Sequence, residues 1–284
     1  MVRARKRFGQ HFLEPAWVEK LIQVIAPGKD QAFLEIGPGR GALTKPLAAR
    51  ARHVFAFEID RDLAAGLRAS SLADVTVIEG DFLTVGVDQL RLELSGLDRI
   101  QTLRAAGNLP YNVASPILFQ LAAFFAAGIP LVDATVMLQR EVADRLTAVP
   151  GTKDYGVLSV LIGLSADVTP LLVLPPGAFR PVPKVTSAVV RLRFRPPNRA
   201  PASPRLFQAL VQAVFTRRRK TMSNALKAFS SAGPVFPAMA LAEAGLEGQR
   251  RPETFTQAEL VALSDVYARE AGAAPLAPRG SSVL

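Results

Sequence analysis

Short apolar runs alternate with stretches of helical periodicity through the first half of the chain, and this alternation constrains the fold most. Each run has the length of a strand and is followed by a turn or an amphipathic segment. The runs cover residues 32–36, 53–57, 75–78, 102–107 and 133–138. Strands that alternate with helices form a parallel sheet with both faces covered. The sequence therefore predicts an α/β fold.

The strand pattern ends at a stiff, polar segment, Pro196-Pro197-Asn198-Arg199-Ala200-Pro201, which has the composition of a linker. Beyond it, residues 204–229, 238–244 and 257–269 have helical periodicity with no strand between them. We predict a large α/β domain over residues 1–197 and a small all-helical domain over residues 198–270. The small, proline-containing tail, residues 271–284, is predicted to be disordered.

Composition excludes several classes of protein. The chain has no Cys, so disulfides and thiolate metal sites are impossible, and it has only two His, which disfavours a histidine-built metal site or a catalytic triad. The formal net charge of +10 favours a polyanionic partner. The longest apolar stretch, residues 117–132, is too short and too interrupted to span a bilayer. We expect a cytoplasmic enzyme that needs no metal.

A glycine-rich turn, residues 35–41, follows the first strand and opens the next helix. Glycines at such a turn let the backbone approach a bound nucleotide without a side-chain collision. Gly37, Gly39 and Ala42 satisfy a dinucleotide fingerprint, whereas Gly37, Gly39 and Gly41 give the tighter spacing typical of S-adenosylmethionine sites. The turn alone leaves three interpretations open: a structural turn, a dinucleotide site and a methyl-donor site.

Two acidic residues follow the next two strands. Glu58 lies where a carboxylate accepts hydrogen bonds from ribose hydroxyls, a contact that suits either ligand. Asp81 can accept from the amino group of the donor's adenine, which we would not expect in a hydride-transfer enzyme. A helix cap or a solvated loop carboxylate is the alternative for each. Asp81 favours the methyl donor.

The segment Asn108-Leu109-Pro110-Tyr111 follows a strand and suits methylation of an exocyclic amino group. Such an amine is a poor nucleophile because its lone pair is delocalised into the base ring. The Asn108 carboxamide oxygen and the Pro110 carbonyl can accept hydrogen bonds from the amine and so aim its lone pair. Tyr111 can stack on the base and fix its plane. A simple strand-end turn is the alternative interpretation.

These motifs occur in order with two others, Phe8-Gly9-Gln10-His11-Phe12-Leu13 and Phe179-Arg180-Pro181-Val182-Pro183-Lys184-Val185. From about Arg5 to Ala268, the chain resembles the ribosomal RNA adenine N6-dimethyltransferases, most closely the bacterial small-subunit (16S) branch linked to kasugamycin resistance. Each motif is weak alone, but six in register are specific. The resemblance implies a Rossmann-like class I methyltransferase sheet with a small C-terminal helical domain. It also implies S-adenosylmethionine as methyl donor.

The resemblance further implies roles for individual positions. The predicted donor-binding residues are His11, Leu13, Gly37, Gly39, Glu58, Asp81 and Asn108. The predicted catalytic residues are Asn108, Pro110, Tyr111 and Phe179, with Tyr111 and Phe179 sandwiching the target adenine. DNA adenine methylases usually carry Pro at the position of Leu109, so this segment favours RNA.

Basic residues are predicted to hold the RNA, although a solvated charged face is the alternative for each cluster. They are Arg5, Lys6, Arg7, Lys184 and the run Arg217, Arg218, Arg219 and Lys220, which we place on a helix. Contacts from such residues to phosphates set affinity rather than sequence choice. The expected partner is small-subunit rRNA within an assembling small ribosomal subunit, with the chain acting as a monomer and away from membranes.

The resemblance implies transfer of methyl groups to the N6 atoms of adenines, two adjacent ones dimethylated, near the 3′ end of small-subunit rRNA. Three alternatives remain open at this point. The first is a large-subunit adenine methylase of the antibiotic-resistance type, and the second is a ribosome-assembly factor with a secondary methylase site. The third is an NAD-type oxidoreductase, which would leave the segment from Asn108 to Tyr111 unexplained.

Overall fold

The structure, a computed structural model, describes residues 11–97, 100, 102–229 and 236–270. The predicted RNA contacts Arg5, Lys6 and Arg7 and the predicted tail 271–284 lie outside the described residues. The strands are β1 Phe12–Leu13, β2 Ala32–Ile36, β3 His53–Glu58, β4 Val75–Glu79, β5 Leu103–Asn108, β6 Leu131–Gln139, β7 Ala166–Leu174, β8 Phe179–Arg180 and β9 Ser187–Phe194. The helices are α1 Pro15–Ile25, α2 Thr44–Ala48, α3 Arg61–Ala69, α4 Val87–Ser95, α5 Ala114–Ala126, α6 Arg140–Thr147, α7 Val157–Gly163, α8 Pro204–Phe215, α9 Met222–Leu226, α10 Pro237–Glu243 and α11 Gln257–Glu270.

The chain divides into two compact units. The first contains the described residues up to Thr147 together with Ser165–Pro196, and the second contains Ala148–Leu164 and the described residues from Pro197 onward. Residues 148–164 therefore pack with the C-terminal helices, although the sequence pattern groups them with the strands. The domain limit at residues 197 and 198 remains a prediction.

The first unit is built on a seven-stranded sheet in the order β4-β3-β2-β5-β6-β9-β7. The strands β2 to β6 are mutually parallel, and β9 runs antiparallel to both of its neighbours. Every residue of β2 is buried, as expected for a central strand covered on both faces. The predicted α/β fold is confirmed. The sequence analysis missed β7, an edge strand that contains Pro170 and is largely exposed.

The chain reverses its direction of travel across the sheet beside β2. It moves outward from β2 through β3 to β4 and then returns to place β5 on the other side of β2. Ligands of open α/β sheets bind beyond the carboxyl ends of the strands at such a switch point. Gly107 of β5 allows the close approach there, because a Cβ at this position would lie 2.5 Å from the Ile36 carbonyl oxygen. The end of β5 therefore lies directly beside the glycine-rich turn.

The second unit is entirely helical among its described residues and is held by an apolar core from α7 to α11. The prediction of continuous helix across Arg217 to Lys220 is wrong, because α8 ends at Phe215 and α9 begins at Met222. The run lies on the intervening turn, where the Lys220 amide donates to the Arg217 carbonyl oxygen and Arg218 donates to that of Lys153. On a helix, residues three apart are neighbours, so a helix across this run would place like charges side by side.

Candidate active site

Two adjoining cavities open at the carboxyl ends of β2, β3 and β5, and both are lined by Gly37, Ile59 and Pro110. The larger has about 860 Å³ of empty space and the smaller about 590 Å³, both counting their open mouths. The larger is also lined by His11, Leu13, Glu35, Gly39, Glu58, Asn108 and Tyr111. The smaller is also lined by Ile36, Phe57, Gly80, Asp81, Phe82, Asn112, Val113 and Ile117. Together they form a cleft suited to an elongated ligand.

The glycine-rich turn and Glu58 support each other at the centre of this cleft. Gly37 and Gly39 both have left-handed backbone, with φ of +70° and +60°, and a Cβ on Gly39 would approach the Phe12 ring to 3.2 Å. One Glu58 oxygen accepts from the Gly39 amide and the other from the Asp60 amide, each at 2.9 Å. Burial raises the pKa of Glu58, partly offset by these hydrogen bonds. Each oxygen retains a second lone pair that can accept from a ribose hydroxyl.

Asp81 lies at the far end of the cleft and has one structural contact of its own. Its Oδ1 accepts from the Leu83 amide at 3.0 Å and so caps the 3₁₀ turn Phe82–Thr84. Asp81 therefore does act as a cap, but through one oxygen only, and the residue also lines the smaller cavity. Ile59 lines both cavities and is 47% exposed, so it offers an apolar face for a planar ring. The sequence analysis missed Ile59, although its position directly after Glu58 could have pointed to it.

Glu35 is a buried acid beside the larger cavity that the sequence analysis did not single out. Burial raises its pKa to about 8, with a smaller lowering by the Thr44 hydroxyl and a raising by the nearby Glu58 carboxylate. Among the described residues, neither its Oε2 nor Thr44 Oγ1 has a partner within hydrogen-bonding distance and angle. A positive charge in the adjacent cavity would stabilise the ionised form of Glu35. The cleft therefore fits a donor that carries positive charge.

Asn108, at the end of β5, is fixed by the N-terminal segment. Its Nδ2 donates to the His11 carbonyl oxygen at 2.8 Å, which directs Oδ1 to the opposite side of the carboxamide. That segment is anchored in turn by the pairing of β1 with β8 and by the Glu14 amide, which donates to the Ala178 carbonyl oxygen at 2.9 Å. The carboxamide thus has one oriented acceptor in a cleft that Pro110 also lines.

Tyr111 is half-buried and held at two places. Its hydroxyl shares a 2.8 Å hydrogen bond with Ser187 Oγ at the start of β9, and burial raises its pKa. The His11 ring stacks on it, with centroids 5.6 Å apart and planes inclined by 22°. His11 Nδ1 donates to the Pro181 carbonyl oxygen at 2.8 Å. No sequence signal pointed to Ser187 or to the ring stack.

The sandwich of the target adenine by Tyr111 and Phe179 remains a prediction, and Phe179 does not line the two cavities. Phe179 is fully buried in the apolar core of the first unit. Its strand β8 pairs with β1, and alternation along that strand directs Phe179 inward and Arg180 outward to Glu14. The apolar ring therefore packs within the core.

The predicted RNA contacts within the described residues are mostly exposed. Lys184 is exposed between Val182 and Val185, which are 54% and 41% exposed. On the second unit, Arg217, Arg219 and Lys220 are exposed and Arg218 is half-buried. The described residues contain no group of three or more His, Asp or Glu side chains that could hold a metal ion. That the reaction needs no metal remains a prediction.

The sheet order, the glycine-rich turn and the acids at the ends of the next strands define a Rossmann-like methyltransferase. The family model described as ribosomal RNA adenine dimethylase matches residues 1–260, so the chain belongs to that family. It is 42% identical over 267 residues to "Ribosomal RNA small subunit methyltransferase A" of Acinetobacter baylyi, covering 93% of this chain and 92% of the relative. It is 43% identical over 265 residues to the protein of that name from Nitrosococcus oceani, covering 92% and 95%.

Solved structures agree on the fold. A dimethyladenosine transferase from Plasmodium falciparum superposes with a TM-score of 0.70 at 23% identity, covering 92% of this chain and 98% of that one. The 23S rRNA methyltransferase ErmE superposes with a TM-score of 0.61 at 27% identity, covering 90% and 98%. These likenesses extend over both units of the chain. None of the helices within the described residues is long and apolar enough to cross a membrane.

Proposed function

We propose that the chain transfers methyl groups from S-adenosylmethionine to the N6 amino groups of adenines in small-subunit rRNA. The observation that carries the proposal is the position of Asn108, Pro110 and Tyr111 on the wall of the same cleft as Gly37 and Glu58. The hydrogen-bond acceptors and the aromatic ring that suit the amine of a nucleobase thus lie beside the residues that suit a nucleotide. The relatives named small subunit methyltransferase A at 42–43% identity support the choice of RNA.

Residues of the cleft are assigned to parts of the donor by what each can contact. Asp81 and Ile59 would hold the adenine, Glu58 the ribose hydroxyls, and the turn at Gly37 the methionine part. Glu35 would offset positive charge on the ligand. The donor supplies an activated methyl group, so the protein needs no nucleophile of its own.

The target adenine would be held by three contacts. Asn108 Oδ1 and the Pro110 carbonyl oxygen would accept hydrogen bonds from the two N–H groups of the amine, and Tyr111 would fix the plane of the base. These acceptors stabilise the positive charge that develops on the nitrogen, and the fixed geometry lowers the entropic cost of attack. No dedicated base is required, because the alkylated nitrogen can lose its proton to water.

The finer assignments follow from the family. We propose that two adjacent adenines near the 3′ end are dimethylated during small-subunit assembly, in the cytoplasm, by a monomeric enzyme. Lys184 on the first unit and Arg217, Arg219 and Lys220 on the second are exposed and suited to phosphate contacts. Size-exclusion chromatography with light scattering checks the monomer, and a dimer at micromolar concentration would contradict it.

The test uses the purified full-length chain with labelled S-adenosylmethionine and three substrates: immature small subunits, mature small subunits and protein-free large-subunit RNA. Label should enter immature small subunits from a strain lacking the modification, and digestion to nucleosides should release N6,N6-dimethyladenosine. Transfer to large-subunit RNA alone would favour the function named for ErmE. Absence of transfer with intact donor binding would favour an assembly factor instead.

A further inference from the structure

We propose that Ser187 is a positioning residue, which holds the Tyr111 ring at the angle that stacking on the target base requires. The inference rests on the proposed function and deepens it, because Ser187 lines neither of the two cavities of the cleft. Its hydroxyl acts only through the hydroxyl of Tyr111, a residue on the wall of the larger cavity.

Ser187 is anchored in the sheet. It is the first residue of β9, is 0% exposed, and pairs with Gln139 of β6 on one side and with Leu174 of β7 on the other. Within the described residues, the hydrogen-bond partner of Ser187 Oγ is the Tyr111 hydroxyl, at 2.8 Å. A hydroxyl that is fully buried between two paired strands is a fixed point to which a side chain from a loop can bind.

Tyr111 lies on the turn that follows β5, where the main chain fixes the base of its side chain. The Val113 amide donates to the Pro110 carbonyl oxygen at 3.1 Å and closes this turn around Tyr111. The ring is half-buried, so its far end needs a partner of its own, which Ser187 provides. A rigid ring that is held at both ends has a defined axis. Because the phenolic O–H stays near the plane of the ring, the hydrogen bond also favours one rotation about that axis.

Both ends of this contact are tied to the carboxyl end of the same strand, β6. The Leu109 amide donates to the Met137 carbonyl oxygen at 2.9 Å, and the Arg140 amide donates to the Thr186 carbonyl oxygen at 3.0 Å, directly before Ser187. The strand order is β5-β6-β9, so the tyrosine reaches across the end of β6 to its partner. The sheet therefore sets the distance between the two hydroxyls.

A double-mutant cycle isolates this hydrogen bond. Its members are Ser187→Ala, Tyr111→Phe and the double variant. Each single substitution removes one hydroxyl, and Tyr111→Phe retains the stacking ring. Ser264→Ala is the matched control, because Ser264 is fully buried in the second unit and its hydroxyl has no hydrogen-bond partner among the described residues. Calorimetric titration should give a dissociation constant for S-adenosylmethionine within about twofold of the wild type in every variant.

The first readout needs no catalysis. Tyr111→Phe leaves a fully buried serine hydroxyl without its partner, whereas the double variant leaves neither group unpaired. An unpaired buried group is the costly case, so the melting temperature of the double variant should lie above that of Tyr111→Phe. A double variant that melts below Tyr111→Phe would overturn the contact, whatever the protein methylates.

NMR of the full-length chain with ¹³C-labelled tyrosine observes the same contact directly. The chain has three tyrosines, and Tyr155 and Tyr267 lie in the second unit. The Cζ signal of Tyr111, assigned by its loss in Tyr111→Phe, should move in Ser187→Ala, while the other two signals stay in place. A Tyr111 signal that does not move in Ser187→Ala would overturn the contact.

The last readout is steady-state methylation of immature small subunits. We expect kcat to fall about 3- to 10-fold in Ser187→Ala, the range expected for one hydrogen bond, with little change in KM and no change in Ser264→Ala. The double variant should be no slower than Tyr111→Phe, because Ser187 acts through the tyrosine hydroxyl.

Two kinetic outcomes would overturn the positioning role alone: an unchanged kcat in Ser187→Ala beside an active wild type, and losses that multiply in the double variant. A wild type that binds S-adenosylmethionine and transfers no methyl would overturn the proposed function together with the positioning role. The two failures are thus distinguished by the activity of the wild type.

Discussion

The two ends of the parallel strands hold buried charge in opposite ways. At the amino-terminal end, Arg104 of β5 binds Asp133 of β6 through two hydrogen bonds of 2.8 and 2.9 Å, and Arg191 of β9 lies 3.8 Å from the same carboxylate. At the carboxyl-terminal end, Glu35 and Glu58 both have raised pKa values because burial is not matched by cationic partners.

The difference teaches which end is built for stability and which for a ligand. A buried ion pair with satisfied hydrogen bonds is costly to break, because removal of one partner leaves an uncompensated charge. Raised pKa values in a cleft mark a site where a ligand can supply the missing partner. Substitutions at the two ends should therefore separate loss of stability from loss of function.

The largest expected effect is on stability, at the amino-terminal end. Asp133→Ala should lower the free energy of unfolding by about 3–5 kcal/mol, because Arg104 loses both of its carboxylate hydrogen bonds within the sheet. Urea denaturation measures this loss. Donor affinity, measured where the variant is folded, should stay near that of the wild type. A loss below about 1 kcal/mol would remove the contrast between the two ends.

The second effect is on catalysis, at the carboxyl-terminal end. Asn108→Ala should lower kcat by roughly 10²–10³-fold, the usual cost of removing one group that stabilises developing charge. The unfolding midpoint should change little, because the side chain has one hydrogen bond, to the His11 carbonyl oxygen. Single-turnover methylation with immature subunits measures the rate. Asn108→Asp, which keeps the shape and loses the N–H donor, is the matched control and should retain the fold.

The third prediction concerns pH. In the absence of S-adenosylmethionine, Glu35→Gln should raise the free energy of unfolding. The pKa of Glu35 is about 8 in the folded protein and 4.5 in the unfolded chain, so the folded protein favours a neutral side chain at this position. The stability of the wild type relative to the variant should fall as pH rises from about 4.5 and level off above about 8. The difference should reach on the order of 3–5 kcal/mol.

Urea denaturation of both proteins at pH 5, 7 and 9 measures that difference. A constant difference across the three values would mean that Glu35 does not titrate differently in the folded and unfolded states. Added S-adenosylmethionine should reduce the advantage of Gln at pH 7, because a cationic ligand stabilises the carboxylate. Asp167→Asn, at an exposed acid of β7, is the matched surface control.

The smallest expected effect per residue is on binding of the small subunit, and it comes from basic residues of the second unit. Replacing Arg217, Arg219 and Lys220 with Gln should weaken small-subunit binding and reduce the slope of log affinity against log salt by roughly one per lost phosphate contact. The kcat on saturating substrate should not change. Binding assays at several salt concentrations measure the slope, and an equal slope in wild type and variant would remove these residues from the RNA contact.

Much of the sheet could be predicted from the sequence because central strands are short, continuous apolar runs. Residues 32–36 were predicted with the bounds that β2 has. The helix α4 was missed because its apolar residues form only a narrow face on Leu90 and Leu94. The break after Phe215 was missed because neither Gly nor Pro marks it in the sequence.

The cleft was predictable where a local pattern carries the chemistry, as at the turn from Gly37 to Gly41 and the segment from Asn108 to Tyr111. Contacts distant in sequence were not, since Ser187 reaches Tyr111 only through the pairing of β9 with β6. The burial of Phe179 likewise depends on the pairing of β8 with β1. A motif gives residue types, whereas the direction of a side chain depends on its neighbouring strand.

The most direct test of the central claim is mass spectrometry of small-subunit RNA from cells that lack this chain and carry either the wild type or Asn108→Ala on a plasmid. The account predicts N6,N6-dimethyladenosine near the 3′ end with the wild type. It predicts unmodified adenine with the empty plasmid and with Asn108→Ala, at equal protein levels. Dimethyladenosine at wild-type abundance in cells that carry only Asn108→Ala would contradict the assignment of this cleft as the site of methyl transfer.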